Sequence, residues 1–126
     1  MIKFDKEKVL LLYQILSQEI SEAVGETDLE LLDSILENTY AESEGEELYK
    51  TKEEKAAALG LLLITNRTFA CVNTRMGLYV MLTSLEVGGI RMTFSNDDVV
   101  KLGRSVEIGK MQYDDILKWI KRFEME

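Results

Sequence analysis

The sequence contains no histidine and no proline, and it has a single cysteine, Cys71. Histidine is the side chain whose unperturbed pKa lies near neutrality, so its absence removes the commonest general base. Serine–histidine and cysteine–histidine nucleophile pairs are excluded, as are histidine-ligated zinc and metalloprotease motifs. Any general base here would have to be a shifted carboxylate, a lysine, a tyrosine or the thiol. One cysteine rules out an internal disulfide and suits a reducing compartment. Long apolar runs are missing too. The longest, from Ala56 to Ile64 with Gly60 inside it, reaches about half the roughly 20 residues of a membrane span. Charges at Lys3, Asp5, Lys6 and Glu7 interrupt any signal-peptide core, so the cytoplasm is the expected location. Basic residues are outnumbered, 15 against 23 acidic, for a net charge of −8. An acidic chain repels phosphate backbones, which argues against general nucleic-acid binding.

What remains is ordinary globular material: 126 residues, 46% hydrophobic and 30% charged. That length suits one domain, spanning 1–126, with a proper core. Val9, Leu12, Tyr13, Leu16, Ile20 and Ala23 recur at helical spacing, so a first helix is expected from Asp5 to Ala23, ended by Gly25. Thr27 and Glu30 read as a capping box opening a second helix that carries Leu32, Ile35 and Leu36. The segment 41–47 is polar and acidic. It reads as a solvated linker, with a contact site for a basic partner as the alternative. Thr51 and Glu54 form a second capping box, before a third helix over 52–68. A fourth helix, 74–86, is apolar nearly all round and belongs in the middle of a bundle. Gly88 and Gly89 end it. The alternating stretch 90–94 reads as a short strand or extended arm. Ser95 caps a fifth helix, Gly109 stops it, and Tyr113, Ile116, Leu117, Ile120 and Phe123 mark a sixth. The fold expected is all-α, a bundle of about six helices with one short extended segment near 90–94.

Between the third and fourth helices runs Arg67-Thr68-Phe69-Ala70-Cys71-Val72-Asn73-Thr74-Arg75-Met76-Gly77. It resembles the signature loop of the Fic/Doc (death-on-curing) family, His-x-Phe-x-Asp-Gly-Asn-Lys-Arg-x-Gly. Phe69, Asn73, Arg75 and Gly77 match. Arg67 stands at the catalytic histidine, Cys71 at the acid, Val72 at the glycine and Thr74 at the lysine. Further pieces fall in the order of the Doc branch. They are Gly25 and Asp28 of a Gly-x-Arg-Asp element, with Thr27 replacing its arginine, then Glu46 to Tyr49, Glu54 to Gly60, and Leu85 to Ile90. The resemblance covers nearly the whole chain and implies a Fic/Doc-type helical bundle. The family's self-inhibitory Ser/Thr-x-x-x-Glu-Gly is absent, because Tyr40 precedes Glu44-Gly45 at the needed spacing. In the Doc branch that element comes from a separate antitoxin.

The family transfers a nucleotidyl group or, in the Doc branch, the terminal phosphoryl group of ATP to a protein hydroxyl such as one on elongation factor Tu. That chemistry needs a base and a magnesium-holding carboxylate. Arg67 stays protonated and offers no lone pair. Cys71 is a poor magnesium ligand, since that ion wants hard oxygens. It reads as a small buried residue, with a thiolate activated by Arg67 or Arg75 as the alternative. Val72 opposes the positive φ and close phosphate approach that glycine allows. Lost base catalysis alone is worth about 10²–10⁴ in rate. Asn73 as an N-cap, Arg75 in the first helical turn and Gly77 could still hold a phosphate at a helix N-terminus. The other reading of these three is an ordinary capped helix start. The expectation is a catalytically degenerate Doc-like protein with no intact catalytic residue and no metal site. ATP and Mg²⁺ would bind only if the phosphate site persists. It would work by binding a protein, either an antitoxin-like protein or a host or defence complex met by a phage or mobile-element inhibitor. A Doc-type transferase with altered activity is the alternative.

Overall fold

A computed structural model describes residues 4–19, 26–69 and 72–125. Its helices are α1 (Lys6–Glu19), α2 (Leu29–Thr39), α3 (Lys52–Thr65), α4 (Asn73–Val87), α5 (Asn96–Glu107) and α6 (Tyr113–Phe123). The fold is all-α, as the apolar spacing predicts. A two-stranded hairpin of β1 (Glu42–Ser43) and β2 (Glu46–Glu47) interrupts it between α2 and α3. The expected end of the first helix, with Ile20, Ala23 and Gly25, lies outside the described residues.

The α3–α4 pair is the centre of the bundle. Its two helices run antiparallel, and glycine sets how closely they approach. A Cβ on Gly77 would stand 2.9 Å from the Gly60 carbonyl oxygen and run into the Ile64 side chain. At the far end the Lys52 ammonium donates to the Gly88 carbonyl. Buried side chains then cover the pair from both sides. Leu59, Leu63, Met76 and Val80 pack with Val9, Tyr13, Leu32 and Ile35 of α1 and α2. Ala57, Ile64, Met81 and Leu85 pack with Leu102, Val106, Ile116 and Ile120 of α5 and α6. Burial on two sides explains why α3 and α4 lack a continuous polar face.

The caps sort into those readable locally and those the tertiary structure reassigns. Thr51 accepts from the Glu54 amide at 3.0 Å, and Ser95 and Asp98 cap α5 reciprocally. At α2 the cap is Asp28, whose carboxylate accepts from the Leu31 amide at 3.1 Å, and not Thr27. Thr27 instead forms an isolated β-bridge with Phe69. The third helix closes at Thr65, three residues short of the expected end, because Arg67 takes a positive φ of 49°.

The acidic segment 41–47 is a formed hairpin, not a plain linker. Glu44 and Gly45 both have positive φ, 54° and 81°, the geometry of a two-residue turn that matches strand twist. Lys55, only 5% exposed, fastens it: its ammonium is paired with the Glu47 carboxylate and donates to the Tyr49 carbonyl at 2.6 Å. The stretch 90–94 is extended, as expected. Thr93 donates to the Phe123 carbonyl and the Met125 amide donates to the Arg91 carbonyl, each at 2.8 Å. Among the described residues no helix is long and apolar enough to cross a membrane.

Candidate functional site

The chain between α3 and α4 is held by its own polar groups. Asn73 is 8% exposed, and its side-chain amide faces Phe69. The amide oxygen accepts from the Phe69 N–H at 2.8 Å, and the amide nitrogen donates to the Phe69 carbonyl at 2.9 Å. One side chain therefore closes the loop like a strand partner. Asn73 is the first residue of α4 rather than its N-cap. The N-cap position belongs to Val72, whose backbone is left-handed at φ 52°, ψ 36° and which makes no side-chain cap bond. A β-branched residue is a rare occupant of that conformation, and it costs on the order of 1–2 kcal/mol. Val72 thus adopts the positive φ that its branching opposes, and the loop carries the strain.

Two more ties bind the loop to the domain. The Asp28 amide donates to the Thr68 carbonyl at 3.0 Å, so the start of α2 and the loop hold each other. The Phe69 ring is buried against Tyr13 of α1, with centroids 4.8 Å apart. Arg67 projects from this frame into solvent, and among the described residues it makes no ion pair. Cys71 and its neighbour Ala70 lie outside the described residues. Among the described residues no three acidic or thiol side chains converge as a metal would require.

The three residues expected to grip a phosphate face three ways. The Asn73 amide has both ends engaged within the loop. Gly77 faces α3, where its missing side chain lets Ile64 and the Gly60 carbonyl come close. Arg75 is exposed in the first turn of α4 and lines a groove on the opposite side. What the sequence spacing puts together along the chain, the helix turns apart.

The groove into which Arg75 opens runs between α4 and α5 and has a volume of about 800 Å³. Its lining joins the apolar Leu78, Leu82, Phe94 and Val99 to the charged Arg75, Arg104 and Glu107. α5 lies close over α4 because Gly103 has no side chain: a Cβ there would meet a Leu78 methyl at 2.9 Å. Leu82 and Phe94 also border a second cleft of about 680 Å³, walled by Arg91, Met92 and Met125. Each ion pair among the described residues uses a lysine, so Arg75, Arg91 and Arg104 carry unpaired charge beside apolar surface. Sequence pattern singles out Arg75 through the loop motif. Arg104 and Glu107 have no such signal, since their place in the groove depends on how α5 docks.

Two displaced acidities occur near the start of α3. Burial, reinforced by Glu54, pushes the Tyr113 hydroxyl up to about 12. A hydrogen bond shared with Glu53, together with burial, raises the Glu124 carboxyl above the usual carboxylate range. No family model matches the chain, and no curated protein matches it.

Proposed function

We propose that this chain is a catalytically degenerate member of the Doc-like branch that acts by binding a protein. One observation carries the reading: the loop between α3 and α4 keeps an organised form while its polar groups serve that form. The Asn73 amide is engaged by the Phe69 backbone, and Val72 takes a left-handed geometry at the position where the family has glycine. The residue at the position of the family's base, Arg67, offers no lone pair near neutral pH. An organised frame without a base catalyst fits a protein retained for its shape. The partner is an antitoxin-like protein, or a host or defence complex bound by an inhibitor from a phage or other mobile element.

A second reading rests on Arg75. It is exposed in the first turn of α4, where a helix favours anions, and it makes no ion pair among the described residues. On this reading the chain still takes ATP and Mg²⁺ and transfers phosphoryl or AMP at a reduced or altered rate. A titration with Mg-ATP separates the two. The binding reading expects no rise in melting temperature and no labelled phosphate on elongation factor Tu. It also expects one stoichiometric protein partner, recovered from bacterial lysate with or without ATP. Nucleotide-dependent stabilisation that disappears in Arg75→Ala, together with label transfer, overturns it.

A further inference from the structure

The arm 90–94 has one paired edge and one open edge. Met92 and Glu124 form an isolated antiparallel bridge between the arm and the C-terminal tail. The hydrogen bonds of this bridge come from the residues on either side. The Thr93 N–H donates to the Phe123 carbonyl, and the Met125 N–H donates to the Arg91 carbonyl. That is the non-hydrogen-bonded type of pair, in which the N–H and C=O of the central residue point away from the partner strand. The Met92 N–H and C=O therefore face away from the tail, and neither enters a backbone hydrogen bond among the described residues. The Ile90 N–H is spent on the Leu85 carbonyl, so α4 flanks the start of the arm. Between α4 and the arm lies the cleft of about 680 Å³, with Leu82 and Glu86 on its helical wall and Ile90, Met92 and Phe94 along the arm.

We infer that an extended segment of a partner protein docks in this cleft as an added antiparallel strand, paired to Met92. The inference rests on the reading that the chain acts by binding a protein, and it names the surface and the partner's chemistry. An open strand edge is a template for another strand. In strand addition the main-chain bonds supply affinity, and pockets for alternate side chains supply specificity. The free N–H and C=O of Met92 select an extended main chain over a helix, whose own N–H and C=O groups are already paired. The arm also fixes the side chains that the segment carries. Successive residues of a strand point to opposite faces, and directly paired residues share a face. Ile90 and Met92 pack on the α5–α6 side of the core, so the segment is apolar opposite them and opposite Phe94. Arg91 and Thr93 are exposed, and Arg91 makes no ion pair among the described residues. An acidic residue opposite Arg91 completes a cross-strand ion pair. Glu86 on the α4 wall opposes a second acid there. The segment, read from its N-terminus, is apolar, polar, apolar, acidic, apolar.

The probe is the capped, fluorescein-labelled peptide Ser-Val-Thr-Val-Glu-Val-Ser, titrated with the purified full chain and read by fluorescence anisotropy. Saturable binding with a Kd of about 100 µM or tighter is expected. N-methylation of the central valine removes the donor to the Met92 carbonyl and is expected to weaken binding at least about tenfold. Lysine in place of the peptide's glutamate is expected to weaken binding several-fold, and the exposed substitution Arg91→Glu to reverse that order. Amide hydrogen exchange read by NMR gives the register. In the free chain the Met92 amide is expected to exchange faster than those of Thr93 and Met125, and bound peptide to slow it at least about tenfold. No saturable binding up to about 1 mM overturns the inference. So does an N-methylated peptide that binds as well as the parent, or a Met92 amide whose exchange the peptide leaves unchanged. Capture of the protein partner separates this inference from the reading beneath it. A partner captured equally well in the presence of saturating peptide leaves the binding reading standing and overturns the strand edge as its surface. Absence of any captured partner overturns the reading instead, and the peptide titration then decides the edge on its own.

Discussion

Helix α4 presents two faces with opposite use of polar groups. Towards α3 and the preceding loop, polarity is consumed: the Asn73 amide satisfies the Phe69 backbone, and Gly77 yields its space to Ile64. Towards α5, polarity is uncommitted: Arg75 makes no ion pair among the described residues and stands in a groove that it shares with Arg104, Glu107 and apolar side chains. The loop face is therefore stabilising and closed, and the groove face is open. The motif's most recognisable residues lie on the side that builds the fold. The open surface is the one the motif touches only through Arg75.

The sharpest way to break this comparison is Asn73→Ala. It strands a buried N–H and a buried carbonyl of Phe69, each costing about 1–3 kcal/mol when left without a partner. The expected loss is about 3 kcal/mol, read as a lower urea midpoint at unchanged slope. Asn73→Asp keeps an acceptor for the N–H but cannot donate to the carbonyl, and should lie between. If Asn73→Ala unfolds like the wild type, the loop is not held by this amide and the closed side of the comparison fails.

Gly77→Ala comes next. Alanine in a helix interior ordinarily stabilises by about 1 kcal/mol relative to glycine. Here the added methyl meets Ile64 and the Gly60 carbonyl in the tightest part of the α3–α4 contact. Overpacking costs about 1–3 kcal/mol, so the net sign reverses to destabilising. In an Ile64→Ala background, which removes the Cγ1 and Cδ1 that the methyl meets, Gly77→Ala should cost less than in the wild type. Denaturant unfolding of the single and double variants measures the coupling.

Much of this frame is legible in the sequence. The apolar spacing of Val9, Tyr13 and Leu16, or of Ile116 and Ile120, places helices and their buried faces. Ser95 with Asp98, and Thr51 with Glu54, are caps decided within four residues, and both form. The failures share one cause, which is that a distant partner decides the outcome. Thr27 has a suitable Glu30, but its pairing with Phe69 draws it out of the cap and gives the role to Asp28. The segment 41–47 has little strand propensity, and the buried Lys55 ammonium organises what lies beneath its hairpin. Asn73 has the preferences of an N-cap, yet the need of the Phe69 backbone moves it one position into the helix. The groove was not legible at all, because it exists only where Gly103 lets α5 settle on α4.

Val72→Gly carries a smaller effect of the opposite sign. Relief of the left-handed strain, on the order of 1–2 kcal/mol, is offset by the roughly 0.5–1 kcal/mol of extra chain entropy that glycine loses on folding. A net gain of about 0.5 kcal/mol is expected, and thermal unfolding should show a small rise in Tm. A fall would mean that the partly buried valine side chain, packed at the edge of the α1–α2 core, contributes more than its backbone costs.

The smallest expected effect belongs to Arg75→Ala, and its smallness gives it value. Exposed side chains without partners usually change stability by less than about 0.5 kcal/mol when truncated. Arg75 is exposed and makes no ion pair among the described residues, so the urea midpoint should not move. The same substitution lowers the positive charge in the groove without touching the loop. If it nevertheless destabilises the chain by about a kilocalorie per mole or more, the arginine is part of the closed side. The two faces of α4 would then not be separable into one that folds and one that binds. An unmoved midpoint together with weakened capture of the protein partner would place Arg75 on the open side, and recognition with it.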